Sequence, residues 1–547
     1  MAVLAGCGLI YEYLLSAYAG RILGTLESTI YTMIGLMIVS MGLGSFAARL
    51  FKEPFTTFAW LESLIAFFGV SCILLIAIAV SISSILPRVI AETFNLPPDL
   101  VPKGGLLEGI RQVARMSPYF FGVIIGFFIG MEIPLIARVR ERVHGEHLEH
   151  NTGTIYGADY IGAGAGAAIW VTFMLSIDIT KAAVITATAN VIAGLVFLYL
   201  YWPRIKLRKS LLIVHGLIAA LVVMIYLYGE DWSIKMTNLL YEDEVVFSYS
   251  TRYQHFVVTE RYLADREDSV YGFYINGRLQ FSSTDEHVYH SMLVYPPMLV
   301  ANKNSHVLII GGGDGLALRD VLRFEPEAVT LIDLDTELVD FFTYAENMPD
   351  YRVDLVELND RAFSDEQVTV IHGDAFIQAE RLVKAGERYD VIIVDLPDPS
   401  HPDLDRMYST YFYERLADLL KKDGAMSVQS TSPYHAKYAF LSIGKTIKAA
   451  GFSQVEQYRQ NIPSFGEWGW TLATHSSTAS RRRLIEMKSP DLRGNQWLTV
   501  DLLVAAFEFP GDFFSDLEKI EVNHLGQNRI YRYHDEAWRR DMGIYKD

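Results

Sequence analysis

Residues 306–324 read HVLIIGGGDGLALRDVLRF, and AVTLIDLD follows at 328–335. A short aliphatic run enters a glycine-rich turn, then a stretch of helical composition, then a second apolar run that ends in acids. That strand–turn–helix–strand order opens a doubly wound α/β domain, whose ligand crevice lies at the carboxyl ends of its strands. VTVIHGD, YDVIIVD and GAMSVQS supply further strands, each running into polar residues. Gly311, Gly312 and Gly313 let the backbone approach a ligand closely, and Asp314 faces it. Asp333 ends the next strand about 20 residues on, where an acid holds ribose hydroxyls. Asp374 ends a third strand, where it can accept from an adenine amino group. A glycine turn with a ribose acid is shared by NAD enzymes and many methyltransferases.

Asp314 narrows that field. A sulfonium donor with a free α-carboxylate, such as S-adenosylmethionine, would meet a negative charge there. A decarboxylated donor offers only an ammonium, so the turn selects by repelling the wrong ligand. As a plain helix cap, Asp314 would need no ligand at all.

The strand at 389–395 leads into DLPDPSHPDLD, which places Asp395, Asp398, Asp403 and Asp405 on one proline-stiffened loop. Like charges this close raise one another's pKa unless something positive meets them. A cationic substrate fits. A metal fits less well, because no aligned third and fourth ligands accompany Asp398 and Asp403. Asp403 and Asp405 read as a solvated rim, and His306, His372 and His401 show no metal-ligand spacing.

Upstream, HFVVTE, SVYGFYING and RLQFSS read as a small antiparallel unit with a hairpin turn at Asn276-Gly277. Before Gly229 the character changes: the positive mean hydropathy of the chain, +0.20, is concentrated there. Apolar runs near 20 residues predict about seven spanning helices, at 3–23, 28–50, 57–86, 114–137, 154–176, 179–202 and 210–228. The mixed segment from Pro87 to Arg111 reads as interfacial. Gly122, Gly126 and Gly130, then Gly162 and Gly166, have the spacing of closely packed helices in lipid. Glu12, Glu27, Glu62, Glu132 and Asp159 fall in or beside the spans, either at interfaces and paired with Arg21, Arg115 or Arg138, or around a cation site. Cys7 and Cys72 indicate no disulfide framework. The net charge of −17 excludes a protein that binds nucleic acid through a basic face.

The expected fold is a multi-pass α-helical membrane domain over 1–230, a small antiparallel β unit over 231–300, and an α/β Rossmann-like, methyltransferase-type domain over 301–547. Residues 250–475 resemble the polyamine aminopropyltransferases, typified by spermidine synthase. Tyr253-Gln254 is similar to the family's donor-binding pair. NGRLQ resembles its Asp-Gly-x-x-Gln, with Asn276 in place of Asp, and DEHVYH matches its Asp-Glu-x-x-Tyr-His. GLIYEY and SFGEWGW resemble the membrane-anchored branch.

The resemblance implies transfer of an aminopropyl group from S-adenosylmethioninamine, as co-substrate, to putrescine or a related amine, with no permanently bound cofactor and no metal. It implies Asp395 as the base, and Tyr289, His290, Asp398, Phe465 and Glu467 as acceptor-binding residues. Gln254, Gly311, Gly313, Asp314, Asp333, Asp374, Ala375 and Pro402 then hold the donor. Phe465 stands where soluble synthases usually carry Tyr. Soluble relatives make a homodimer the expected assembly. A methyltransferase is one alternative, opposed by Asp314. A membrane polyamine transporter or sensor with a polyamine-binding soluble domain is another.

Basic residues favour one set of loops (Arg49, Lys52, Arg138, Arg140, Arg142, Arg204, Lys206, Arg208 and Lys209) over Arg21, Arg88, Lys103, Arg111, Arg115 and Lys181. Placing the richer set inside would, with seven spans, send the C-terminal half outside. The donor is made in the cytoplasm, so the expected arrangement is a multi-pass protein of the inner (plasma) membrane with a cytoplasmic catalytic half.

Overall fold

The computed structural model describes residues 1–23, 26–94, 105–145, 148–262, 269–487 and 490–541. The chain divides into two compact units, 1–245 and 246–547.

The first unit is a bundle of α1 (Ala2–Leu23), α2 (Leu26–Ala47), α3 (Pro54–Thr93), α4 (Gly105–Arg115), α5 (Ser117–His144), α6 (Leu148–Thr172), α7 (Ile179–Leu200) and α8 (Arg208–Asn238). Among the described residues six helices are long and apolar enough to cross a membrane, by length and composition. The expected span at 154–176 is α6, which is not one of the six. Gly157, Gly162, Gly164 and Gly166 dilute its hydropathy, and Asp159 interrupts it. Gly162 and Gly166 serve packing instead: a Cβ at Gly166 would lie 2.8 Å from Gly6 Cα on α1. A Cβ at Gly126 on α5 would likewise lie 3.1 Å from the carbonyl oxygen of Met37 on α2. Helix α3 continues through Pro87, so the stretch read as interfacial begins as helix. Residues 95–104 and the side chains of Arg21 and Glu27 lie outside the described residues. Ile38, Val39, Phe46, Ile192, Leu212 and Leu217 all face outward, the distribution of a bundle apolar on both its inside and its outside.

The second unit holds two sheets. The first orders β1 (Glu244–Ser250), β2 (His255–Tyr262), β3 (Ser269–Ile275) and β4 (Arg278–Ser282) side by side. Asn276 and Gly277, with φ of 50° and 76°, make the tight turn between β3 and β4. The second contains β5 (His306–Gly311), β6 (Ala328–Asp333), β7 (Val368–His372), β8 (Tyr389–Asp395), β9 (Leu420–Gln429), β10 (Gln454–Ile462) and β11 (Gly466–Thr474), in the order β10-β11-β9-β8-β5-β6-β7. Strands β5 to β9 run parallel, β11 runs antiparallel to β9, and β10 runs antiparallel to β11.

The two-residue period of a strand divides β5 and β8 between two cores. Val307, Ile309, Val391 and Ile393 pack with Met292, Leu293 and Leu318, and Leu308, Ile310, Ile392 and Val394 pack with Phe412, Leu416 and Ile443. Burial on both faces explains the unbroken aliphatic runs. Phe256, Phe273 and Phe281 of the small sheet share a third core with Leu316, Phe341 and Phe342. For that reason the small sheet and the α/β fold form one compact unit rather than the two expected, and the helical part runs past 230 to Asn238.

Candidate active site

The order of strands reverses between β5 and β8, and the register pairs Gly311 with Asp395 at that point. A doubly wound sheet opens its crevice there. Gly311 has φ of 80°, and a Cβ on it would strike the carbonyl oxygen of Asp395. The glycine turn is therefore what lets Asp395 sit against the loop that follows β5.

Helix α9 (Glu286–Val300) supplies the opposite wall. Tyr289 Oη donates to Asp395 Oδ1 at 2.7 Å. Burial, with Asp395 alongside, pushes the phenol well above its usual range, so it stays a donor. His290 turns back on its own helix, its Nδ1 lying 2.8 Å from the Glu286 carbonyl oxygen and 2.9 Å from Glu286 Oε2. Arg319, on α10 (Leu316–Leu322), grips the same carboxylate with two nitrogens at 2.8 and 3.1 Å. Burial pushes Glu286 up, but His290 and Arg319 outweigh it and hold the carboxyl at about 2. Burial pulls the His290 imidazole down, yet Glu286, Asp314 and Asp395 raise it to about 9. His290 is consequently a cation at neutral pH. Burial raises Asp395 to about 6, with Asp314 adding to the rise and His290 and Tyr289 restraining it.

Asp314 is raised chiefly by burial, and its Oδ1 accepts from the Leu316 amide at 3.0 Å. It thus caps its turn as well as facing Asp395. Burial lifts Asp333 to about 6. Its Oδ1 accepts from the Asp335 amide at 2.8 Å, and Gln254 Nε2 donates to Asp335 Oδ2 at 2.9 Å. Gln254, Gly313 and Asp333 therefore gather at the end of β6. Asp374 caps the helix Ala375–Ala385 through Phe376 and receives Arg406 at 2.9 Å, so both its oxygens are engaged. Pro402 begins the short turn Pro402–Asp405.

Asp398 meets a residue that the sequence analysis missed. His534 Nε2, from the helix Arg529–Asp541, lies 3.2 Å from Asp398 Oδ2. Burial alone would raise Asp398, but His534, with Arg278 nearby, lowers it. His534 is 1% exposed. Asp405 is no solvated rim: it is 0% exposed and accepts from Asn523 Nδ2 and the Tyr531 amide, each at 2.8 Å. Its task is to seat the segment that delivers His534. Asp403 is about half exposed, beside His401.

Phe465 packs 6.1 Å from Tyr289 and 5.0 Å from Trp468, ring centre to ring centre. Asp285 fixes its loop by accepting from the Ser464 amide and hydroxyl at 2.6 and 2.9 Å. Glu467 is in an ion pair with Arg459. Among the described residues no group of three or more His, Cys, Asp or Glu is arranged to hold a metal ion.

Residues 286–484 match the Spermine/spermidine synthase domain. The chain is 53% identical over 546 residues to a polyamine aminopropyltransferase of Shewanella oneidensis, covering 100% of this chain and 95% of that protein. It is 31% identical to polyamine aminopropyltransferase 1 of Streptomyces coelicolor, covering 98% and 93%. The crystal structure of spermidine synthase from Thermotoga maritima aligns with a TM-score of 0.41 at 24% identity, over 50% of this chain and 88% of that one. Full-length identity at this level settles the relationship: the chain belongs to the polyamine aminopropyltransferases.

Proposed function

We propose that this aminopropyltransferase moves the aminopropyl group of S-adenosylmethioninamine to a primary amine of putrescine or a related polyamine, giving a spermidine-type product and methylthioadenosine. The amine lone pair attacks the carbon beside the sulfonium. The carbon–sulfur bond breaks with its electron pair going to sulfur, and the amine's proton passes to Asp395. The sulfonium is already a good leaving group, so the site has to hold a free amine about 3–3.5 Å from that carbon. An aliphatic amine titrates near pH 10, which makes the base essential at neutral pH.

One observation carries this reading: a carboxyl poised near 6, hydrogen-bonded by Tyr289 and pressed against the glycine turn. His290, being cationic, does not hold the distal ammonium; it restrains the pKa of Asp395. Asp398, positioned by His534, takes the ammonium, and Phe465 walls the methylene chain. Gln254, Gly311, Gly313, Asp314, Asp333, Asp374, Ala375 and Pro402 form the donor side. Mass analysis after incubation with S-adenosylmethioninamine and a panel of di- and triamines tests the assignment. Methylthioadenosine with an amine heavier by one aminopropyl group supports it, and no release with any amine removes it.

We place the helical unit in the bilayer of the inner membrane, supported by six apolar helices and their apolar exterior. The catalytic unit then lies in the cytoplasm, where the donor is made, and the chain works as a homodimer. Proteolytic accessibility of a site engineered near Ser248 tests the orientation.

A further inference from the structure

Glu62 on α3 and Glu132 on α5 are 0% and 1% exposed. Glu62 Oε2 accepts from Asn190 Nδ2 on α7 at 3.2 Å. Glu62 Oε1, both oxygens of Glu132, the Asn190 carbonyl oxygen and the Tyr11 hydroxyl of α1 are buried without hydrogen-bond partners. The two carboxyls lie within electrostatic reach of each other and of Tyr11, and the amino group of Met1 acts on both only at a distance. His215 reaches the same place from α8, since a Cβ at Gly194 would run into its ring and lie 3.2 Å from Glu62 Cβ. Its Nδ1 is already occupied by Ser63 at 3.1 Å and the Leu211 carbonyl at 3.0 Å.

An ionisable group in an apolar bundle is costly, and each orphaned acceptor adds to that cost. With both carboxyls ionised, every unpartnered atom apart from the Tyr11 hydroxyl is an acceptor. The missing piece is therefore a cation rich in donors. A divalent metal would need six or more oxygens. An alkylammonium brings three N–H donors and no acceptor.

We propose that the bundle contains a binding site for a primary alkylammonium, built by Glu62, Glu132 and Asn190, in addition to the amine site of the catalytic unit. The choice of ammonium rests on the amine chemistry proposed above. The bundle site holds the amine in its charged form, whereas the catalytic site must strip a proton from it.

Equilibrium binding of radiolabelled putrescine to the full chain in lipid nanodiscs tests this. Two equivalents per chain are expected for the wild type. One is expected for Glu132→Gln and for Glu62→Gln, with kcat/KM for aminopropyl transfer within twofold of wild type as the check that the chain is folded. One equivalent in the wild type, which needs no variant to interpret, overturns the proposal. Two equivalents retained in the Glu62→Gln/Glu132→Gln double variant do the same. So does displacement of the bundle equivalent by sodium at the potency of the amine, which would assign an inorganic cation. Failure here with methylthioadenosine release intact leaves the transferase assignment standing. Absence of release with every amine removes that assignment independently.

Discussion

Replacing Tyr289 with Phe deletes one hydroxyl from a buried wall and nothing else. That hydroxyl donates to Asp395 Oδ1 at 2.7 Å, so it stabilises the carboxylate over the acid. A hydrogen bond to a charged group is worth about 1.5–3 kcal/mol, which is about one to two pH units. Asp395 stands at about 6 with the bond in place. Removing it raises that value, so the acid limb of kcat/KM moves to roughly 7–8. The assay is methylthioadenosine release across pH 5–9.5 under kcat/KM conditions. The substrate amine also titrates, but equally for both proteins, so the ratio of variant to wild type isolates the enzyme. That ratio should be roughly one thirtieth at pH 5 and climb toward unity above pH 9. A ratio flat across pH would refute the reasoning, since it would mean that Tyr289 positions substrate without tuning the base.

Asp395→Asn should retain donor binding and lose turnover by several orders of magnitude, read by calorimetry and product analysis. It should also melt higher than wild type at neutral pH. The folded value near 6 lies above the unfolded value near 3.9, so wild type loses up to about 3 kcal/mol as pH rises through that window and the asparagine does not. The two proteins should converge near pH 4 in thermal melts. His534→Ala should raise the amine KM about tenfold with kcat and donor KM little changed, because it unpins Asp398. Equal losses in kcat would point to a catalytic rather than a positioning role. Asp405→Ala strands the buried Tyr531 amide and takes one of three acceptors from Asn523 Nδ2, at a cost of about 1–3 kcal/mol. Hydrogen exchange should then quicken across Arg529–Asp541 before the sheet is affected.

Much of the site was legible because its residues stand at the ends of strong strands. Gly311, Asp333 and Asp395 each follow an aliphatic run too short for a helix, and a doubly wound sheet turns strand ends into a crevice. What escaped is what tertiary packing assembles. Glu286 sits in a recognisable motif, yet its partner Arg319 lies 33 residues away. His534 lies 136 residues from Asp398, in a segment beyond the matched domain. Asp405 misled because a proline-rich polar loop reads as exposed until Asn523 and Tyr531 cover it. In the bundle, α6 was read as a span from its apolar run, while Gly162 and Gly166 within it pack closely against α1.

The proposed donor selection rests on Asp314, whose negative charge would admit a donor lacking a carboxylate. Calorimetric affinities of the full chain for S-adenosylmethioninamine and for S-adenosylmethionine, in wild type and in Asp314→Asn, test it most directly. The decarboxylated ligand should bind wild type more tightly, and the asparagine should narrow the gap. Tighter binding of S-adenosylmethionine by wild type, or a gap unchanged in Asp314→Asn, would contradict it.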